Sequence, residues 1–124
     1  MENKDAILIV SCDPYLAGIY GRKFEENGWA VAVEETIEAG EKHAMVMRPD
    51  IILLQTDCVT DTIEVIKRWR SFPTIYSTKI VILAEAGDEE EIRAAREAGA
   101  AEYLLVGHFV PQEAVEKMKH LLGS

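Results

Sequence analysis

The stretch that decides the fold is Pro-Asp-Ile-Ile-Leu-Leu-Gln at residues 49–55, a short apolar run that begins after a proline and ends on an amide. A continuous aliphatic run of this length is typical of a parallel strand that helices cover on both faces. Similar runs occupy residues 6–10, 80–83 and 103–106. A weaker run at residues 30–33 has the modest hydrophobicity expected of a strand at a sheet edge.

Stretches with helical periodicity separate these runs, and capping residues mark their ends. Asp13-Pro14 predicts an N-cap followed by proline at the first helical position, and Asn27-Gly28 predicts a left-handed C-cap. Thr36 and Asp88 are the predicted caps of the second and fourth helices, and Pro111 opens the fifth. Five strands alternating with five helices predict an α/β fold, a doubly wound parallel sheet, in a single domain that covers residues 1–124.

The composition limits the classes of function. The 124 residues carry a formal charge of −9, which disfavours binding to nucleic acid or to an anionic membrane surface. The apolar runs are too short to cross a bilayer and do not resemble a secretory signal. The two cysteines, Cys12 and Cys58, do not form a disulfide framework, so we expect a reducing, cytoplasmic location.

In a doubly wound sheet, ligands bind beyond the carboxyl ends of the strands. Four segments are therefore predicted to meet at one edge of the sheet: Ser11-Cys12-Asp13, Gln55-Thr56-Asp57, Ala84-Glu85 and Val106-Gly107. No glycine-rich phosphate-binding motif follows the first strand, which argues against a nucleotide-dependent enzyme.

The chain resembles the CheY-like receiver domain of two-component response regulators along nearly its whole length. The pieces that carry this resemblance are ILIVSCDP at residues 7–14, PDIILLQ at 49–55, KIVILAE at 79–85 and GAAEYLL at 99–105. The resemblance implies a flavodoxin-like (βα)5 sheet with strand order 2-1-3-4-5. It also implies a role in two-component signal transduction or a phosphorelay.

The resemblance fails at the residues that do the family's chemistry. A receiver typically has two adjacent acids after its first strand, a phospho-accepting aspartate, a hydroxyl residue and a lysine. Here those positions fall on Ser11 and Cys12, Gln55, Ala84 and Val106. An amide is neither a competent nucleophile nor a ligand that attracts magnesium, and no cation balances a transferred phosphoryl group. We therefore predict a vestigial phosphorylation pocket, with no catalytic residue, metal or cofactor.

Two acids remain near this edge, and they leave open a phosphorylatable receiver that uses a displaced carboxylate. Asp57 lies two residues beyond Gln55, and Asp13 follows Cys12, although its role as a helix cap already explains it. Asp50 lies at the opposite end of its strand.

Cys12 and Cys58 allow a second alternative, a thiol redox sensor or a soft-metal site at the mouth of the pocket. The plainer interpretation is that two small residues fill space that carboxylates occupy in the family. Their spacing does not distinguish the two interpretations.

The predicted function is a non-enzymatic pseudo-receiver, a protein interaction module whose output does not depend on its own phosphorylation. Receivers commonly bind partners or dimerise through the surface of the fourth helix, fifth strand and fifth helix, and the resemblance implies the same surface here. Tyr103 matches the family's switch-like aromatic position, and Ala84 beside it leaves room for an inward rotamer that would fix one state.

Overall fold

The computed structural model describes residues 4–123, with the backbone alone described at Cys58. Its centre is a parallel sheet of five strands in the order β2-β1-β3-β4-β5. The strands are β1 (Ala6–Val10), β2 (Ala30–Glu34), β3 (Ile51–Gln55), β4 (Lys79–Ala84) and β5 (Glu102–Leu105). The predicted fold class and strand order are confirmed, and the weakly apolar β2 lies at a sheet edge.

Five helices cover the two faces of the sheet. They are α1 (Pro14–Glu26), α2 (Ile37–Met47), α3 (Thr62–Arg70), α4 (Glu89–Ala98) and α5 (Pro111–Leu121). Single 3-10 turns follow β3 at Thr56–Cys58 and precede β4 at Pro73–Ile75. Within the described residues, no helix is long and apolar enough to cross a membrane.

The caps predicted from the sequence form as hydrogen bonds. The carboxylate of Asp13 accepts from two backbone N–H groups at the start of α1, and the hydroxyl of Thr36 accepts from Ala39 N at 3.1 Å. The carboxylate of Asp88 accepts from Glu91 N at 2.8 Å. Gly28, just after α1, has φ of +87°, a left-handed conformation that suits glycine. Each cap contributes about 1 kcal/mol to helix stability.

Alternate residues of the central strands supply two hydrophobic cores. Ile7 and Ile9 of β1 pack with α1 and α5, whereas Leu8 and Val10 pack with α2, α3 and α4. All five residues of β3 are buried, because this strand lies mid-sheet between two covered faces. Trp69 of α3 is the largest fully buried side chain of the second core.

The strand register places the carboxyl ends of the strands side by side. Val10 of β1 pairs with Leu54 of β3, so that the residues following each of them are neighbours. Gln55 pairs with Leu83, and Ala84 pairs with Leu105. The carboxyl ends of β1, β3, β4 and β5 therefore form one edge, where the predicted pocket residues lie.

Candidate functional site

Ser11 and Gln55 form the centre of this edge and contact each other. Both side chains are buried, and the Ser11 hydroxyl donates a hydrogen bond to the amide oxygen Oε1 of Gln55. Ser11 Oγ accepts from the backbone N–H of Asp13 at 3.1 Å, and Gln55 Nε2 donates to Asp57 Oδ2 at 3.3 Å. Four polar groups thus satisfy one another within the chain, and all but the Asp57 carboxylate are uncharged.

The space beneath this pair is filled. It is bordered by Ser11 and Gln55 and by apolar side chains of the first core, among them Leu16, Leu53 and Leu83, and it has no volume that a water molecule could enter. A buried water needs room and several polar partners, and neither is present below the pair. The amide and the hydroxyl therefore close the base of the pocket.

The other two pocket positions offer no polar side chain. Ala84 ends β4 as a buried residue, and Val106 follows β5 and packs against the first core. Their backbones are linked by a hydrogen bond from Val106 N to Ala84 O of 2.8 Å. In the part of the chain that the structure describes, no lysine or arginine forms a hydrogen bond or ion pair with Ser11 or Gln55.

These side chains do not fit a magnesium ion, the metal that the resemblance to receiver domains implies. Magnesium binds hard oxygen ligands, usually with one or two carboxylates, and the buried centre supplies a hydroxyl and an amide that are already bonded to each other. Among residues 4–123, leaving aside the side chain of Cys58, no group of three or more His, Cys, Asp or Glu side chains is arranged to hold a metal.

The residual acids have other partners. Asp13 Oδ1 accepts from Tyr15 N at 3.0 Å and from Leu16 N at 3.2 Å, which makes it the N-cap of α1. Asp57 is exposed in the turn after β3 and accepts from Gln55. Asp50 accepts from Ala6 N at 2.8 Å at the amino edge of the sheet, far from the pocket, as predicted.

Cys12 differs from the plainer expectation of a small buried residue filling the pocket. It lies in the turn after Ser11, is exposed, and is disulfide-bonded. Because Ser11 already occupies the buried place beside Gln55, the following side chain lies outside the pocket. The side chain of Cys58 lies outside the described part of the chain, although its backbone ends the turn after β3.

Tyr103 is half-buried on β5, and its hydroxyl donates to the backbone oxygen of Ala86 at 3.5 Å. Burial raises the pKa of the Tyr103 phenol, and the carboxylates of Glu91, Asp88 and Asp57 raise it further. Acidic side chains from the turn after β3 and from the start of α4 therefore lie near the Tyr103 hydroxyl. Whether the ring is fixed in one rotamer stays a prediction.

Sequence reasoning missed a cleft beside this tyrosine. A cavity of about 430 Å³ lies between α3 and α4, and Tyr103 lines it. Thr56, Thr60 and Asp61 line it from the loop after β3, and Glu91 lines it from α4. The sequence signal nearest to this cleft is the cluster of threonines and acids at residues 56–62.

Solved structures resemble this fold closely, whereas no protein-family model and no curated protein sequence matches the chain. A response regulator from Thermotoga maritima superposes with a TM-score of 0.88 at 18% identity, covering 98% of this chain and 100% of that one. HP1043, described as an orphan response regulator of H. pylori, gives a TM-score of 0.87 at 17% identity, covering 98% and 99%.

A third similar structure is the receiver domain of the sensor histidine kinase PA1611 from Pseudomonas aeruginosa, which has a magnesium ion coordinated in its active-site cleft. Its TM-score is 0.84 at 19% identity, and the match covers 98% of this chain and 100% of that one. These likenesses show that the chain has the CheY-like receiver fold of two-component response regulators.

Proposed function

We propose that this chain is a pseudo-receiver: a cytoplasmic protein interaction domain of two-component-type signalling, without enzymatic activity, whose state is not set by its own phosphorylation. The observation that carries the proposal is the buried hydrogen bond between Ser11 and Gln55. It occupies the place where the fold family binds a metal and accepts a phosphoryl group.

The chemistry of the pair supports this proposal. Acyl phosphate formation needs a carboxylate oxygen that attacks phosphorus, and an amide oxygen that accepts a hydrogen bond is a far poorer nucleophile. The charge that develops on the phosphoryl oxygens needs cations or hydrogen-bond donors around it. Ala84 and Val106 supply methyl groups at the two positions where the family has a hydroxyl and a lysine.

A receiver that uses a displaced acid is the weaker candidate. The Asp13 carboxylate would have to leave two backbone N–H groups at the start of α1 in order to bind a metal or attack phosphorus. Losing this cap costs about 1 kcal/mol before any bond to phosphorus forms. Asp57 is exposed, and no lysine or arginine in the described residues pairs with it to stabilise a phosphoryl group.

The surface formed by α4, β5 and α5 is the proposed interaction surface, for a protein partner or for a second copy of this chain. Glu102 of β5 links its three elements: it bonds Arg96 of α4 at 2.7 Å and lies 3.8 Å from Lys117 of α5. Glu102 is mostly covered, whereas both cations are partly exposed and can contact a partner. These ion pairs join the three elements without using any residue of the pocket.

Self-association through this surface can be measured by sedimentation velocity over a range of protein concentrations. The measurement is made with and without magnesium and beryllofluoride, which mimics the acyl phosphate. We expect the same association constant in both conditions and weaker association for Arg96→Glu. The matched control is Arg22→Glu on α1, which changes the charge equally on an exposed residue away from this surface. Association that appears only with beryllofluoride would contradict the proposal.

A further inference from the structure

The cleft between α3 and α4 is separate from the vestigial pocket and has no part in its chemistry. Its volume of about 430 Å³ lies in the range that ligand sites of proteins typically have. Small side chains of α4, Ala94 and Ala95, line it together with Ile63 of α3, so the helices leave the space between them unfilled. A cavity of this size can hold a whole long side chain of another molecule.

The charged side chains that line the cleft are all acidic. Asp61 lies at the start of α3 on one wall, and Glu90 and Glu91 lie at the start of α4 on the other. Among the described residues that line the cleft, none is a lysine, arginine or histidine. Like charges on facing walls repel each other unless a cation lies between them. The lining therefore selects a cationic occupant.

The carboxylates keep oxygens that can accept further hydrogen bonds. Oδ1 of Asp61 accepts from Glu64 N at 3.1 Å, which caps α3 and leaves the second oxygen without a partner among the described residues. Glu90 pairs with Arg93 at 3.0 Å on the exposed side of α4. The carboxylate of Glu91 makes no hydrogen bond or ion pair with any side chain that the structure describes. Asp61 and Glu91 can therefore bind a donor that enters the cleft from solvent.

Tyr103 adds an acceptor and an aromatic ring to the same lining. Its hydroxyl makes one long hydrogen bond, to Ala86 O at 3.5 Å, so its oxygen can accept from a stronger donor. The phenol keeps its proton at neutral pH, because burial and the carboxylates near it, Glu91 first among them, raise its pKa. A tyrosine ring attracts cations through its π electrons as well.

We propose that the cleft binds an arginine side chain of a protein partner, with the guanidinium between Asp61 and Glu91 and beside the ring of Tyr103. A planar guanidinium presents five N–H donors, enough to bond both walls and the phenol oxygen together, whereas an ammonium has three on one atom. The alkyl part of the arginine packs against the alanines of α4. The net charge of −9 attracts a basic partner and speeds its encounter with the site.

This inference rests on the proposed function and deepens it, since it names the chemistry of the partner and the residues that recognise it. Ser11, Gln55, Ala84 and Val106 do not line the cleft, so binding there needs no phosphoryl group or metal in the pocket. The cleft lies on the α3 side of α4.

Amide NMR of the full chain, titrated with the peptide acetyl-Gly-Gly-Arg-Gly-Gly-amide, tests the site. Saturable shifts are expected, centred on Asp61, Glu91 and Tyr103. The matched probe has citrulline in place of arginine, which keeps the shape and removes the charge, and it is expected to bind at least about tenfold more weakly. Equal binding of the two peptides would overturn the proposal. So would shifts of equal size at exposed acids outside the cleft, such as Glu35 and Glu38, because the peptide would then sense only the net charge.

Charge-neutral variants test the two acids without unfolding the chain. Glu91→Gln is expected to weaken peptide binding roughly three- to fivefold, as for a partly exposed charge pair. Asp61→Asn is expected to do the same, and asparagine caps a helix as well as aspartate does. The matched control is Glu89→Gln, which removes the same charge from the same turn of α4 but does not line the cleft. An equal loss in Glu89→Gln and Glu91→Gln would overturn the proposal.

Two further titrations of the wild type separate this inference from its alternatives. Spermidine that binds more tightly than the peptide would overturn the assignment to a partner's side chain and indicate a free polyamine. A flat peptide titration together with flat spectra in magnesium and beryllofluoride would remove the arginine site and retain the pseudo-receiver. Saturable shifts with beryllofluoride would overturn the proposed function, and the peptide titration would still decide the arginine site.

Discussion

Replacing Gln55 by aspartate introduces the residue that receiver domains typically have at the end of the third strand, and the structure predicts that this change destabilises the protein. The new carboxylate would lie in a buried place, between a single hydroxyl donor from Ser11 and the like charge of Asp57. The matched control is Gln55→Asn, which has the same length as aspartate without its charge. The difference in stability between the two variants isolates the cost of the charge.

The size of the cost follows from the surroundings. Burial and a neighbouring carboxylate both raise the pKa of an acid, and one hydrogen bond from a hydroxyl only partly opposes them. We expect a net rise of about 1.5 pKa units in the folded state, which corresponds to about 2 kcal/mol at pH 7. For a domain of this size, that lowers the melting temperature by roughly 5–10 °C relative to Gln55→Asn.

Urea unfolding of both variants, monitored by circular dichroism between pH 7 and pH 4, measures this cost. Because the folded-state pKa is raised, the penalty is full above that pKa and shrinks as the pH falls towards the unfolded value of about 3.9. Equal stabilities at pH 7 would refute the reasoning. The reasoning would also be refuted if magnesium stabilised the aspartate variant but not the asparagine variant, since a working metal site would then be present.

Two further predictions concern contacts outside the pocket. The hydrogen bond from Arg68 holds the pKa of Glu41 below its usual range. Glu41→Gln is therefore expected to lower the free energy of unfolding at neutral pH. The difference in stability between this variant and the wild type should disappear as the pH falls through the lowered pKa. Urea midpoints between pH 7 and pH 3 measure it. A methyl group on Gly87 would lie 2.7 Å from the Tyr103 hydroxyl, so Gly87→Ala is expected to shift the Tyr103 ring resonances and to cost about 1–2 kcal/mol. Gly18→Ala, whose methyl group meets no atom within 4 Å, is the control and should leave the ring unchanged.

Each of these two predictions has a clear contrary result. A constant difference between Glu41→Gln and wild type from pH 7 to pH 3 would mean that the ionised carboxylate contributes nothing. Unshifted Tyr103 resonances in Gly87→Ala would mean that the ring does not occupy the place beside the loop after β4.

The sequence predicted the sheet because its signals are local and strong. Aliphatic runs such as residues 51–54 have few alternatives to a buried parallel strand, and Asp13, Thr36 and Asp88 cap helices through bonds that span two or three residues. The pocket residues met as expected, since parallel strands bring their carboxyl ends to one edge.

Features that depend on contacts between distant side chains could not be predicted. The Ser11–Gln55 hydrogen bond joins residues 44 positions apart, and the bond from Trp69 Nε1 to Glu41 at 3.0 Å joins residues 28 apart. The disulfide of Cys12 and the cleft beside Tyr103 likewise depend on how loops and helices meet. The amino-acid composition predicted free thiols, because two cysteines without a disulfide framework are typical of a protein in a reducing compartment. Composition carries no information about the geometry of an individual loop.

The most direct test of the central claim is an amide NMR titration of the full chain with magnesium and then with beryllofluoride. We predict no saturable shifts at Ser11, Gln55 and Val106, because Ser11 and Gln55 are uncharged side chains that are hydrogen-bonded to each other and offer neither a carboxylate nor free ligand oxygens. Saturable shifts centred on Asp13 and Asp57 would contradict the account and show that a rebuilt acid site still controls this domain.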